Sequence, residues 1–279
     1  MWIVTAVLTM FCFGINNLIF KAISGKMMSK VHMQFFFYLI AFLLMVGYGS
    51  IKGFAPFNLL TIVLGAVIGI LNANGNIQMT KAFENGPASL TSPIISTYTV
   101  IPILSAALIF HEHISLIQWI GIIVMLGSAA VIQYSPGSTT GNINYMPWMY
   151  RILLSILCFG VLGILMKTSS HLQIDSINTL FCMYGGGAVY LIIQSLVTKE
   201  KWRRSEVKIG AVIGCFSVIG YSSYFFSLDT GIASIVFPIV SLSCLVVVLG
   251  SVLLYKEKMK LYQIIGVLTA IGGIVLTKI

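Results

Sequence analysis

A chain of 279 residues that is 58% hydrophobic and only 8% charged cannot hydrate a globular surface, which ordinarily draws about a quarter of its residues from the charged set. Its formal charge of +9 would suit nucleic acid in a water-soluble protein. Here, however, Lys and Arg fall in short segments between apolar runs, where they orient helices and meet anionic lipid. Composition excludes a sizeable soluble domain and points to a chain that lies almost wholly within a bilayer.

Ten apolar runs follow one another, at 2–20, 33–51, 58–80, 88–110, 116–134, 147–166, 173–197, 207–228, 233–255 and 261–278. Each has about the ~20 residues needed to cross ~30 Å of hydrocarbon. They are continuous rather than alternating, which predicts helices and not barrel strands. The first run lacks a basic leader and a small-residue cleavage site, so it reads as a membrane helix. It carries Asn16 and Asn17, with Lys21 just beyond. The third holds NANGNIQ (72–78), where Asn72 and Asn76 share one helical face and Asn74 and Gln78 another, and it ends near Glu84. The fourth places Ser92, Ser96 and Thr99 on one stripe beside Pro93 and Pro102. Next comes the longest polar stretch, SPGSTTGNIN (135–144), a turn-rich linker that separates residues 1–134 from 147–279. Beyond it lie Lys167 just past the sixth run, Ser217, Tyr221 and Tyr224 along the eighth with Asp229 just past its end, and Phe237, Ser241 and Cys244 in the ninth. The five cysteines share no CxxC spacing and read as small apolar fillers.

The two halves are related. At an offset of 145, NGPASLTSPIIS (85–96) lies on TGIASIVFPIVS (230–241), and Glu112, Gln118 and Gly121 lie on Glu257, Gln263 and Gly266. Without gaps, about 14 of the 52 positions from Met79 to Ala130 are identical. Cys12-Phe13-Gly14 with Lys21 recurs, at an offset of 146, as Cys158-Phe159-Gly160 with Lys167. An odd number of helices per repeat makes the second half enter the membrane from the opposite side. The expected fold is therefore all-α and integral to the membrane, with ten transmembrane helices in two inverted five-helix repeats, 1–134 and 147–279 around a 135–146 linker. The loops after the odd-numbered helices contain or border 13 of the Lys and Arg, and the other face has only Lys52, Lys167 and Lys278. The positive-inside rule then puts both termini outside the cell membrane.

The small-residue opening with Gly and Lys (Gly14/Lys21, Gly160/Lys167) resembles the drug/metabolite transporter superfamily and its EamA-like ten-helix permeases. So do the Ala-Ser…Pro entries (Ala88, Ser89, Pro93; Ala233, Ser234, Pro238) and the acidic loop with trailing glycines (Glu112, Gly121, Gly127; Glu257, Gly266, Gly272). Where the family usually opens with Trp, this chain has Phe13 and Phe159. The resemblance implies a carrier with a central cavity between the halves and termini commonly drawn in the cytoplasm, against the charge count.

Polar side chains at membrane depth face a cavity or a partner helix. The expected substrate-binding set is Asn16, Asn17, Asn72, Asn76, Ser92, Ser96, Thr99, Ser217, Tyr221, Tyr224, Phe237 and Ser241; Lys21, Lys167, Glu84 and Asp229 are candidate gates or charge partners. The competing reading is that the hydroxyls and amides bond neighbouring helices and the glycines let them pack closely. No Asp or Glu falls mid-span, which disfavours proton-driven export of lipophilic cations and favours a neutral or zwitterionic polar solute, amino-acid-like, or a drug. There is no Walker loop, no metal-ligand constellation and no mid-span His to serve an intramembrane hydrolase. The expectation is a non-enzyme without cofactor, metal or nucleic-acid partner, whose partners are a small-molecule substrate and the bilayer. A coupling proton or ion and the oligomeric state are left open. A passive pore and a non-transporting scaffold or sensor are the alternatives.

Overall fold

The computed structural model describes residues 1–23, 28–85, 91, 94–134, 145–198, 202–255 and 260–277. Ser92, Pro93 and the linker 135–144 lie outside the described residues, as does Glu257. Among the described residues the regular structure is helical throughout: α1 Trp2–Ile23, α2 Lys30–Lys52, α3 Leu59–Asn85, α4 Ile94–Leu108, α5 Leu116–Gln133, α6 Tyr145–His171, α7 Ser176–Thr198, α8 Arg204–Thr230, α9 Ala233–Ser241, α10 Ser243–Tyr255 and α11 Leu261–Leu276. The helices α9 and α10 run as a single membrane span interrupted at Leu242, so the elements make ten spans. Eight of these are long and apolar enough to cross a membrane, and Ile94–Leu108 and Leu261–Leu276 are shorter apolar helices.

The helix ends follow local chemistry. Ser115 and Gln118 form a capping box at the start of α5, and the Lys260 N–H donates to Gln263 Oε1 at the start of α11. The aligned glutamines thus perform one task twice, satisfying an N–H that the first helical turn leaves free. Asn58 accepts from the Thr61 N–H and hydroxyl at the head of α3. Three helices run 27 residues, about 40 Å at 1.5 Å per residue. Helices α6 and α8 overrun the expected boundaries at both ends, and α3 runs past its expected C-terminal end at 80 to Asn85.

The halves interdigitate. Helix α3 of the first half packs against α6 and α7 of the second, and α8 of the second packs against α1 and α2 of the first. Small residues make these approaches possible, and they recur at the repeat offset. A Cβ on Gly69 would collide with the Met183 carbonyl, and one on Gly214 would stand 3.0 Å from the Phe37 carbonyl oxygen. A Cβ on Gly75 would lie 2.7 Å from the Phe159 ring, and one on Gly220 2.9 Å from the Phe13 ring. In each pair the two glycines are 145 residues apart and their partners 146 apart. Helices α5 and α11 form a separate pair, where Gly121 meets Gly273 and Thr277 while Gly266 meets Ile132.

The trailing glycines Gly127 and Gly272, expected to be packing sites, instead face open space. Six residues along a helix is 240° around it, so Gly121 and Gly127 cannot both face α11. The fourth span of each half is irregular at the corresponding place: Thr97–Thr99 tightens into a 3₁₀ turn within α4, and Leu242 breaks the chain between α9 and α10 after Pro238. At the second break the Leu242 N–H bonds to the Ile239 carbonyl at 3.1 Å while the Ser241 hydroxyl donates to the Pro238 carbonyl, a side-chain bond that competes with the helix ladder.

Candidate functional site

Between α1, α2, α3, α7, α8 and α9 the apolar core gives way to a cluster of aromatic, amide and hydroxyl groups. The Tyr221 ring sits 4.7 Å from Phe13 and 6.3 Å from Tyr184. Tyr184 in turn meets Tyr38 edge-on at 5.9 Å. Tyr224 joins Phe13 at 5.9 Å and Phe237 at 6.1 Å. The Phe13–Tyr221 pair is tilted and the other four are edge-to-face, a favourable arrangement for aromatic pairs. The Asn72 carboxamide lies beside the hydroxyls of Tyr38 and Tyr221. The Tyr184 hydroxyl donates to Ser217 Oγ at 3.2 Å, and the Tyr38 hydroxyl donates to the Gly69 carbonyl at 3.4 Å. Tyr38, Asn72, Tyr184, Ser217, Tyr221, Tyr224 and Phe237 are all buried. The cluster contains no charged side chain, and both halves of the chain build it.

Of the residues singled out in the sequence, Asn72, Ser217, Tyr221, Tyr224 and Phe237 meet here. Asn76 donates to Asn72 Oδ1 at 3.4 Å. Asn16 is buried with its Oδ1 lacking a hydrogen-bond partner, whereas Asn17 is exposed. Ser96 and Thr99 serve α4 itself and its neighbour. Ser96 Oγ donates to Gln133 Oε1 at 2.8 Å and Thr99 Oγ1 to the Ser96 carbonyl. Ser241 bonds back to the Pro238 carbonyl.

Tyr38 and Tyr184 were not singled out. They are 146 residues apart, so their signal was a tyrosine at the same place in the second span of each half. The opposite face of α3 is taken up by a lateral network: Gln78 donates to Asn74 at 3.0 Å, Tyr190 to Asn74 at 3.2 Å, and Arg151 to Gln78 at 2.5 Å. Those groups tie α3 to α6 and α7.

The charge partners are separated. Glu84 is exposed and pairs with Lys30, on the face that carries most of the Lys and Arg. The exposed Asp229 lies on the lysine-poor face and interacts with Ser170 and Lys167. The side chain of Lys21 lies outside the described residues. Lys167 binds Glu112 at 3.0 Å, and the loop residue Glu112 belonged to neither expected set. Its carboxylate also accepts from the Ala233 N–H at 3.0 Å, the Ser234 N–H at 2.9 Å and the Ser234 hydroxyl at 2.7 Å. Burial alone would raise the Glu112 carboxyl, but the two Ser234 donors and the Lys167 ammonium outweigh it and hold it below the usual glutamate range.

The sequence profile of the EamA-like transporter family matches residues 1–134 and again residues 146–279. This chain belongs to the EamA-like transporter family. It is a multi-pass membrane protein of a transporter family, as its apolar helices and doubled architecture require. An uncharacterized Haemophilus influenzae protein is 24% identical over 211 residues, covering 74% of this chain and 72% of that one. A protein of known crystal structure superposes with a TM-score of 0.79 at 12% identity, covering 99% of this EamA-like chain and 96% of the other. At that identity the likeness extends to the fold.

Proposed function

We propose that this protein is a secondary carrier that moves a small polar solute, amino-acid-like or otherwise neutral or zwitterionic, or a drug of similar polarity, across the cytoplasmic membrane by alternating access. The observation that carries this reading is the uncharged cluster of Tyr38, Asn72, Tyr184, Ser217, Tyr221 and Tyr224, contributed by both halves and buried among helices that cross the bilayer. A carboxamide and several phenols can hydrogen-bond an uncharged polar group, and the ring faces can stack on an apolar body. The rings touch one another, so a solute enters by parting them. Alternation would turn on the irregular fourth spans, at Thr97–Thr99 and Leu242. Orientation by the charge rule leaves the Glu112 face outside.

The test begins with thermal stabilisation of the detergent-solubilised protein against amino acids, sugars, nucleosides, choline-like cations and drugs, because a ligand that binds only the folded state raises the melting temperature. The stabilising class is then carried into vesicles. Saturable uptake with counterflow supports a carrier, non-saturating flux without counterflow indicates a pore, and no flux with any stabilising solute leaves a scaffold or sensor. A shift confined to lipophilic cations would overturn the neutral-solute assignment.

A further inference from the structure

Glu112 stands outside the aromatic cluster, yet its contacts cross the molecule. It lies in the turn between α4 and α5, where His111 adopts a positive φ of 50° and the Glu112 N–H bonds back to the Ala106 carbonyl at 3.2 Å. That geometry turns the carboxylate toward the first turn of α9. Helix α9 begins after Ile232, which has no side chain able to cap it. The N–H groups of Ala233 and Ser234 therefore have no partner within the helix, and Glu112 supplies both from another half of the chain. Lys167, near the end of α6, closes the same carboxylate from a third side. The side chains of Lys167 and Glu112 are only 11% and 13% exposed, so water screens the arrangement little.

We propose that Glu112 is a positioning residue for the transport cycle, a latch that holds α9 against α6 and the α4–α5 turn and keeps the lysine-poor end of the carrier shut. The proposal rests on the alternating-access reading above. Phe237, one turn into α9, is part of the aromatic cluster, so the latch fixes the helix that presents it. Opening this end separates the carboxylate from four donors at once, and a single charged pair at the surface would not have that reach. The sign with pH follows from the lowered carboxyl. The latch is complete above the ordinary glutamate range and is lost as pH falls through the lower value of the closed state.

Hydrogen–deuterium exchange on the full-length protein reads the latch without any substrate. In Glu112→Gln, which keeps the shape and removes the charge, amides 233–237 should exchange at least about tenfold faster. Amides 94–99, toward the opposite end, should slow, because an inverted-repeat carrier that opens at one end closes at the other. Glu112→Asp should restore part of the wild-type pattern. The double variant Glu112→Lys with Lys167→Glu should not, because a lysine cannot accept from the Ala233 and Ser234 N–H groups. Lys167→Met gives the same two readouts in a second background, should Glu112→Gln fold poorly. Faster exchange confined to 233–237 would mean only a frayed helix end and would overturn the latch, as would no change at all. Either result leaves the solute-binding reading standing, since that is judged by stabilisation and counterflow.

Discussion

Asn72 stands at the centre of the cluster, its carboxamide beside the hydroxyls of Tyr38 and Tyr221 and accepting from Asn76 at 3.4 Å. Asn72→Leu removes the carboxamide beside these phenols and the acceptor that Asn76 uses, while Tyr38 keeps its bond to the Gly69 carbonyl, at about 1–3 kcal/mol for a group left unsatisfied. It should cut counterflow at least tenfold while the protein still purifies as a folded species. Tyr221→Phe separates ring from hydroxyl. It keeps the 4.7 Å contact with Phe13 and should retain binding of a solute held by stacking, whereas Tyr221→Leu should lose it. Wild-type counterflow in both Asn72→Leu and Tyr221→Leu would remove this cluster from the transport path. At this scale the sequence was legible where a polar or unusual side chain interrupted an apolar run, as at Asn72, Ser217 and Tyr221. Tyr38 was hidden because it ends the run Phe35–Tyr38, FFFY, in which helical phase cannot be told from composition. Glu112 was hidden for a different reason: a carboxylate in a short loop looks solvated until the structure brings the bare start of α9 to it.

At the scale of helices, the close approaches are made by backbone, and the glycines that permit them can be sorted by what stands opposite. A Cβ on Gly69 meets the Met183 carbonyl and the Gly187 nitrogen, which belong to the backbone of α7 and cannot turn aside. Gly69→Ala must therefore push α3 from α7, and should lower the melting temperature by an amount equivalent to about 1–3 kcal/mol. Gly127→Ala has nothing within 4 Å and should be neutral or slightly stabilising, since alanine favours helix by up to ~1 kcal/mol over glycine. Thermal scans of the two variants side by side check the assignment, and equal losses would mean that the α3–α7 approach is looser than its geometry. The repeat offset made Gly121 and Gly266 readable as packing sites. It could not distinguish them from Gly127 and Gly272, because repetition marks a position without saying which way that position points.

The whole molecule is woven rather than divided, which sequence relatedness alone does not disclose. Two similar halves joined by a linker suggest two bodies side by side, yet α3 lies against α6 and α7, and α8 against α1 and α2. Non-adjacent helices were placed by packing, and packing depends on small residues meeting across the fold, as Gly75 meets Phe159 and Gly220 meets Phe13. Physical consequences follow for a divided chain. Residues 1–134 expressed alone would present the Gly65, Gly69 and Gly75 face of α3 to lipid, with the polar Asn74 and Gln78 beside it and no Arg151 or Tyr190 to bond them. Polar groups left in hydrocarbon without partners are costly. The first half alone should therefore aggregate or be degraded. Co-expression with residues 146–279 as a separate chain should instead yield a complex that co-purifies and melts cooperatively, because α3 meets α6 and α7, and α8 meets α1 and α2, across the cut. A first half that is monodisperse and protease-resistant on its own would show that each repeat closes its own core, and the interwoven helices would then be a consequence of assembly rather than a condition for folding.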